Sequence, residues 1–201
     1  MSNPLPQTVE RIAAFQPDHT PYAQFSIDEM SATHERFYCN SVLPGPLQLP
    51  DVARAILKAY RPDDPAEVAE TYVAARQQRA AHMAERAFTC EYFIDERVLD
   101  ASLPGTDWQA QLSHLVETDG RPEAVLRVIP GGTFYIAQDM TTLLTRSDAT
   151  QAVCLETSFD TVQYTDDPKT VAKAVAMFRR LDAIALPQQD SIDAVLSRIT
   201  D

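Results

Sequence analysis

The sequence lacks the paired cysteines, metal-ligand spacings and nucleotide-binding loops that would indicate a function directly. Its three cysteines, Cys39, Cys90 and Cys154, are odd in number, far apart and without a CxxC pair. This pattern argues against a disulfide framework and fits a reducing cytoplasm. No HExxH, Cys–His zinc spacing, Walker A loop, GxGxxG or GxSxG motif occurs. We therefore expect no metal and no cofactor.

Positive charge is also scarce. The 201 residues contain 17 Lys and Arg against 29 Asp and Glu, which gives a formal net charge of −12. Binding to a phosphate backbone depends on Lys and Arg, so the charge balance argues against direct DNA binding. No apolar run approaches transmembrane length or has the pattern of a signal peptide. We expect a cytoplasmic protein that has no contact with membranes.

The hydrophobic patterns predict helices first, then strands, then helices again. Helices are predicted over residues 50–60, 64–86 and from Pro168 to about 186, and a capping pattern at Ser26 and Glu29 predicts a helix over about 26–34. Strands are predicted over residues 88–94, 124–129, 140–144, 152–157 and 162–164. This order is typical of a single α+β domain with a mostly antiparallel sheet packed with helices.

One run stands out, Pro44-Gly45-Pro46-Leu47-Gln48, because a Pro-Gly turn leads directly into a helix that begins near Asp51. Other short motifs follow it in the chain. They are Ala75-Arg76-Gln77, Ile94-Asp95-Glu96-Arg97-Val98-Leu99, Val125-Leu126-Arg127-Val128-Ile129-Pro130, Tyr164-Thr165-Asp166-Asp167-Pro168 and Phe178-Arg179-Arg180-Leu181.

In this order and spacing, the set resembles the C-terminal effector domain, of unknown function, of actinobacterial helix-turn-helix regulators of the WhiJ-like, antitoxin-like class. The resemblance runs from about residue 28 to the C-terminus, so we expect an N-terminal arm over residues 1–27 and an effector domain over 28–201. About 27 residues are too few for the helix-turn-helix bundle that precedes the domain in these regulators. The sequence also departs from the family at Pro46, where leucine is usual, and in the segment Gly131-Gly132-Thr133-Phe134-Tyr135.

Four titratable residues are candidates for catalysis. Asp95 and Glu96 follow a predicted strand, where a carboxylate pair can exchange protons or can instead cap a short helix. Glu156 shares the alternation of its strand with Cys154 and could face a cavity. His114 lies beside an apolar helical stripe and has a side chain suited to general base catalysis.

Five further residues are candidates for ligand binding: Gln48, Arg76, Tyr92, Phe134 and Tyr135. Aromatic side chains with a few polar groups suit a small-molecule pocket, although core packing gives the same pattern. Arg76 and Arg79 could instead pair with carboxylates. We also expect Leu47 to be buried and the Gln48 amide to bond backbone groups at the helix entrance.

Two functions remain open from the sequence. The resemblance implies a recognition domain that binds a small partner protein or a small-molecule ligand within a transcriptional control circuit. The alternative is a small enzyme, a cyclase or proton-transfer catalyst in a secondary-metabolite pathway. A binding module predicts that the candidate carboxylates pair with Arg76, Arg79 or Arg127, whereas an enzyme predicts a titratable group in a cavity.

Overall fold

The structure is a computed structural model, and it describes residues 7–8, 10–11, 20–85, 88–101, 103–119, 124–133, 140–156 and 162–200. Helices and strands are numbered in chain order. The helices are α1 (Thr20–Glu29), α2 (Pro50–Tyr60), α3 (Ala66–Ala84), α4 (Glu96–Leu99), α5 (Trp108–Asp119), α6 (Pro168–Ile184) and α7 (Gln188–Leu196). The strands are β1 (Ala32–Cys39), β2 (Thr89–Asp95), β3 (Ala124–Ile129), β4 (Met140–Arg146), β5 (Gln151–Glu156) and β6 (Val162–Thr165).

The six strands form one sheet in the order β3-β2-β1-β4-β5-β6. On one side of β1, strands β2 and β3 run parallel to it, and on the other side β4, β5 and β6 alternate in direction. The parallel half requires crossover connections, which helices α2 and α3 provide between β1 and β2 and helices α4 and α5 provide between β2 and β3. The predicted α+β class is confirmed, with a mixed sheet whose antiparallel pairings outnumber the parallel ones.

Most predicted elements are found where the sequence indicated. The helix at Pro50–Tyr60 has the predicted bounds, with Pro50 in its first turn and Asp51 near its N-terminus, where a carboxylate is favourable. The exception is the helix predicted over residues 26–34, which is wrong. Glu29 ends helix α1, and β1, the central strand of the sheet, begins at Ala32. Helix α1 also crosses the expected boundary at residue 27, and its Phe25 is buried.

Each face of the sheet is covered by helices. On one face, which we call the α6 face, Tyr38, Phe93 and Leu143 pack with residues of α6, among them Phe178. On the other face, which we call the α3 face, Phe37, Tyr92 and Cys154 are among the strand residues that pack with the remaining long helices. The alternation of side chains along each strand produces this division. The candidate functional site lies on the α3 face.

Candidate functional site

The Pro-Gly turn that connects β1 to α2 is held by side-chain amides. Gln48 Nε2 donates a hydrogen bond to Leu43 O at 2.6 Å, and Gln77 Nε2 of α3 donates to Gln48 O at 2.9 Å. Gln111 Nε2 of α5 donates to Leu47 O at 2.8 Å. The predicted burial of Leu47 is confirmed. The Gln48 amide also bonds the backbone as predicted, although its acceptor precedes the turn instead of lying at the helix entrance.

A cavity of about 330 Å³ opens beside this turn, and we call it the α3–α5 cavity. Its size lies within the range of roughly 300–1,000 Å³ that is usual for ligand pockets. The turn, the C-terminal half of α3, α5 and the strands β2 and β3 all contribute to its wall. The lining residues are Pro46, Leu47, Gln48, Gln77, Ala80, Ala81, Met83, Ala84, Phe88, Cys90, Tyr92, His114, Thr118 and Ala124.

Among the residues that the structure describes, the lining of the α3–α5 cavity is mainly apolar and contains no Asp, Glu, Lys or Arg. Its polar groups include Gln48, Tyr92 and His114. Gln48 is 3 % exposed, and its Oε1 has no hydrogen-bond partner among the residues that the structure describes. The Tyr92 hydroxyl donates to the Met83 sulfur at 3.7 Å, which is a weak interaction. Oε1 has essentially no accessible surface, so it is enclosed within the wall and does not face the cavity.

Burial keeps the titratable groups of β2 in this wall neutral. It raises the pKa of the Tyr92 phenol well above its ordinary value, and the adjacent Cys90 thiol and Glu35 carboxyl raise it further. Burial likewise raises the pKa of the Cys90 thiol, with a second contribution from Glu35. A low-dielectric environment disfavours the charged form of each group. Near neutral pH, Tyr92 and Cys90 therefore contribute dipoles and not charges.

The structure brings three of the predicted site residues together, because Gln48, Tyr92 and His114 all line the α3–α5 cavity. Arg76 is not among the lining residues, although it directly precedes Gln77 in α3. A Cβ at Gly45 would lie 3.3 Å from Arg76 Cγ and Nε, so glycine allows this close approach. Arg76 Nη1 is buried without a hydrogen-bond partner among the described residues.

The two aromatic candidates, Phe134 and Tyr135, lie outside the residues that the structure describes.

The candidate carboxylates Asp95 and Glu96 are away from the cavity and have structural partners. Asp95 Oδ1 accepts the Arg97 backbone N–H at 2.9 Å at the N-terminus of α4, so the capping alternative is confirmed. Glu96 accepts a hydrogen bond from Gly131 N at 2.6 Å and another from Arg198 Nη2 at 3.0 Å. These two bonds, the first above all, lower the pKa of Glu96. Asp95 therefore caps α4, and Glu96 links α4 to the residues that follow β3 and α7.

Glu156, the third candidate carboxylate, lies at the end of β5. It is two residues from Cys154, so both side chains are on the α3 face, the geometry that the sequence left open. Burial raises the pKa of Cys154 well above its ordinary value, and the charge of Glu156 raises it further. Glu156 is not among the residues that line the α3–α5 cavity.

The arginine pairing predicted for a binding module is wrong for two of the candidate carboxylates. Asp95 and Glu96 pair with Arg97 and Arg198 instead of the three predicted arginines. Arg79 does form a carboxylate pair, but with Glu29.

A buried charged cluster lies beneath α1 and α3, and its carboxylates were not predicted from the sequence. Arg79 Nε and Nη2 donate to the two carboxylate oxygens of Glu29, and Nη1 donates to the Tyr22 hydroxyl at 3.0 Å. Glu35 of β1 is fully buried nearby, and both of its oxygens lack hydrogen-bond partners among the described residues. Glu35 was not predicted to be buried because no strand was predicted over β1, whose first residues fall within the helix predicted over residues 26–34.

A second groove, of about 310 Å³, separates α2 from α3 and has a different character. Arg54, Lys58, Arg61 and Glu70 are among its lining residues. The Arg54–Glu70 pair is held by a hydrogen bond of 2.6 Å between Nε and Oε1, and both side chains are about half exposed. We call it the α2–α3 groove.

The chain matches one family of known proteins over most of its length. Residues 22–197 match the model of a family described as domain of unknown function DUF5753, and the chain belongs to that family. No curated protein matches the sequence significantly. In the described part of the chain, no group of three or more His, Cys, Asp or Glu residues is placed to hold a metal ion. No helix in the same part of the chain has both the length and the apolar character needed to cross a membrane.

Proposed function

We propose that this chain is a recognition domain that binds a small molecule in the α3–α5 cavity, as the ligand-sensing part of a transcriptional control circuit. The regulatory context comes from the resemblance to the effector half of WhiJ-like, antitoxin-like regulators. The three cysteines are buried free thiols, which supports a reducing, cytoplasmic location.

The observation that carries this proposal is the α3–α5 cavity itself. Its volume of about 330 Å³ and its mainly apolar lining with a few polar side chains are typical of a small-molecule pocket. The turn on one side of the cavity is held by Gln77 and Gln111 from two different helices. The cavity therefore suits a small, mainly apolar molecule.

The enzyme alternative has less support. Among its four catalytic candidates only His114 lines the α3–α5 cavity, whereas Asp95 and Glu96 are paired with Arg97 and Arg198. Acid–base catalysis needs its acid and base within reach of one substrate. The recognition proposal needs no such convergence.

A fragment screen observed by NMR on the isotopically labelled chain tests the proposal. We expect the amide signals of cavity residues, such as Gln77, Ala80 and Tyr92, to shift with those fragments that bind. Replacing Ala80 by Phe places a ring in the cavity wall and should abolish these shifts. Ala69→Phe is the matched control, because Ala69 is a half-buried alanine of the same helix that lines the α2–α3 groove. Fragments that bind only elsewhere, or that bind the Ala80→Phe variant equally well, would contradict the proposal.

A further inference from the structure

The α2–α3 groove combines a basic wall with an apolar floor. Arg54 and Lys58 are four residues apart in α2, so they lie on the same side of that helix, and Arg61 directly follows its last residue. All three line the groove. Leu57 and Tyr72 also line it, and both are buried, so they form its floor. Three cations beside an apolar floor suit a ligand that has an anionic head and an apolar body.

One of these cations, Arg61, is already fixed in position. Its guanidinium carbon lies 5.1 Å from the centroid of the Tyr72 ring, a cation–π contact. Its Nη1 is 3.4 Å from Asp64 Oδ2, and its side chain is only 10 % exposed. Lys58, in contrast, is exposed. A guanidinium that is ordered beforehand loses little conformational freedom when an anion binds to it.

Basic residues outnumber acidic ones in the described lining of this groove, whereas the whole chain has the opposite balance, with 17 basic and 29 acidic residues. The three cations face two carboxylates, those of Asp64 and Glu70. Glu70 contacts Arg54 through both carboxylate oxygens, at 2.6 and 3.1 Å. These lining residues lie within residues 54–72, a stretch that the structure describes without a gap. One further negative charge beside Lys58 and Arg61 would balance the charges of this stretch.

We propose that the α2–α3 groove binds a small organic monoanion, whose carboxylate lies between Lys58 and Arg61 and whose apolar body packs on the floor. A carboxylate matches the planar guanidinium of Arg61 and also pairs with an ammonium group. The volume of about 310 Å³ suits a compact aromatic acid. The site is separate from the α3–α5 cavity, to which α3 contributes residues from Gln77 onward, so it does not rest on the proposed function.

Three naphthalene probes test the proposal by NMR titration of the isotopically labelled full chain. 2-Naphthoate is an anion, 2-naphthamide is a neutral molecule of nearly the same shape, and 2-naphthylmethylammonium is a cation. We expect the amide signals of Lys58 and Ala69 to shift. Naphthoate should bind about 5- to 10-fold more tightly than naphthamide, because hydrogen bonds between charged groups are stronger than neutral ones. The cation should bind most weakly, and added salt should weaken the binding of naphthoate but not of naphthamide.

Variants locate the effect. Lys58→Met removes one cation at an exposed position and keeps the length of the side chain, so it should reduce the preference for naphthoate by at least about 3-fold. Lys173→Met, at an exposed position of α6, is the matched control and should keep the full preference. Ala69→Phe places a ring in the groove and should abolish binding of every probe there. Ala80→Phe, in the wall of the α3–α5 cavity, should leave groove binding unchanged.

The results that overturn the proposal are distinct from those that overturn the proposed function. Equal groove affinity for naphthoate and naphthamide, tighter binding of the cation, or a full preference in Lys58→Met overturns the monoanion site. Millimolar naphthoate that shifts no groove residue, or that shifts only residues of the α3–α5 cavity, also overturns it. A fragment screen in which the α3–α5 cavity stays empty contradicts the proposed function and leaves the groove titration as an independent result.

Discussion

At the scale of single residues, the ion pair between Glu29 and Arg79 is almost fully removed from water. Each side chain is 4 % exposed, and the guanidinium contacts both carboxylate oxygens. Arg79 also lies over the Phe25 ring at 5.2 Å, which adds a cation–π contact. Two desolvated charges that satisfy each other in this way link α1 to α3. Breaking such a pair costs more than removing both of its members, because the remaining charge stays buried.

We therefore predict that Arg79→Met destabilises the fold by roughly 3–5 kcal/mol, because the Glu29 carboxylate loses its partner in a buried site. The double variant Glu29→Leu, Arg79→Met should recover most of that loss. Urea denaturation of both variants and the parent measures the free energies of unfolding. A single variant within about 1 kcal/mol of the parent, or a double variant no more stable than the single one, would contradict the prediction.

Glu35 is the other unusual residue of this cluster. It lies on the central strand, with Cys90 and Leu144 as its register partners on either side. Burial raises the pKa of Glu35 well above its ordinary value of 4.5, and the Glu29 carboxylate raises it further, while Arg79 opposes the change. Glu156 of β5 also raises the pKa. These groups approach from α1, α3 and β5, so the folded protein favours the protonated form of Glu35.

The raised pKa of Glu35 makes the stability of the folded protein depend on pH. Because the folded protein binds the Glu35 proton more tightly than the unfolded chain, its contribution to stability is complete below pH 4.5 and is lost as the pH rises towards the folded-state pKa. We predict that Glu35→Gln is more stable than the parent at pH 7 by on the order of 1 kcal/mol or more, with the advantage shrinking towards pH 4.5. Urea denaturation across this pH range is the measurement.

Glu117→Gln, at an exposed position of α5, is the matched control and should leave the pH profile of stability unchanged. An advantage of Glu35→Gln that is constant with pH, or one that grows as the pH falls, would contradict the assignment.

At the scale of elements, the Pro-Gly turn joins the sheet to three helices. It begins after β1, leads into α2 and is bonded by Gln77 of α3 and Gln111 of α5. Leu47 fixes the turn from its apolar side and is 3 % exposed. Two prolines, Pro44 and Pro46, restrict the unfolded chain and so reduce the entropy lost on folding. The same element supplies Leu47 and Gln48 to the cavity wall, so its rigidity fixes this side of the cavity.

Truncation of the buried leucine should therefore be costly. We predict that Leu47→Ala lowers the free energy of unfolding by roughly 2–4 kcal/mol, the sum of the lost apolar burial and the space left behind. Thermal and urea unfolding measure the change. Leu196→Ala in α7, where the leucine is 46 % exposed, is the control and should cost far less. A Leu47→Ala variant as stable as this control would show that the turn is a surface contact.

The elements also show which parts of the fold the sequence could predict. The start of α2 was predicted because Pro50 and Asp51 are local signals, and local signals fix such boundaries. Strand β1 was not predicted because its residues Thr33-His34-Glu35-Arg36 are polar or charged. In addition, Ser26 and Glu29 match the capping pattern found at the start of a helix. Its strand conformation is set by pairing with β2 and β4, which are distant in sequence.

The same distinction applies to the site. Gln48, Tyr92 and His114 were chosen separately for their chemistry, and only the packing of the turn, β2 and α5 brings them to one cavity. The contribution of Gln77 and Gln111 could not be read from local pattern, because each bonds a backbone group at least 29 positions away. Glu35 could not be recognised as buried without the position of β1. Sequence thus indicates suitable side chains, and long-range pairing decides which of them meet.

At the scale of the whole molecule, several arginines of the described residues pair with carboxylates. Arg54 pairs with Glu70, Arg146 with Asp28, and Arg198 with Glu96 and Asp100. Arg36 bridges Glu91 and Asp182 on the α6 face. The formal net charge of −12 argues against attraction of a polyanion over long range.

We accordingly predict that the chain does not bind duplex DNA directly. Affinity for DNA comes largely from Lys and Arg contacts with phosphates, and non-specific binding by basic proteins has dissociation constants of roughly 10⁻⁴–10⁻⁶ M. Fluorescence anisotropy of a labelled duplex should show no binding tighter than about 10⁻⁴ M at low salt, where phosphate attraction is strongest. Micromolar binding that weakens as salt is added would contradict the prediction.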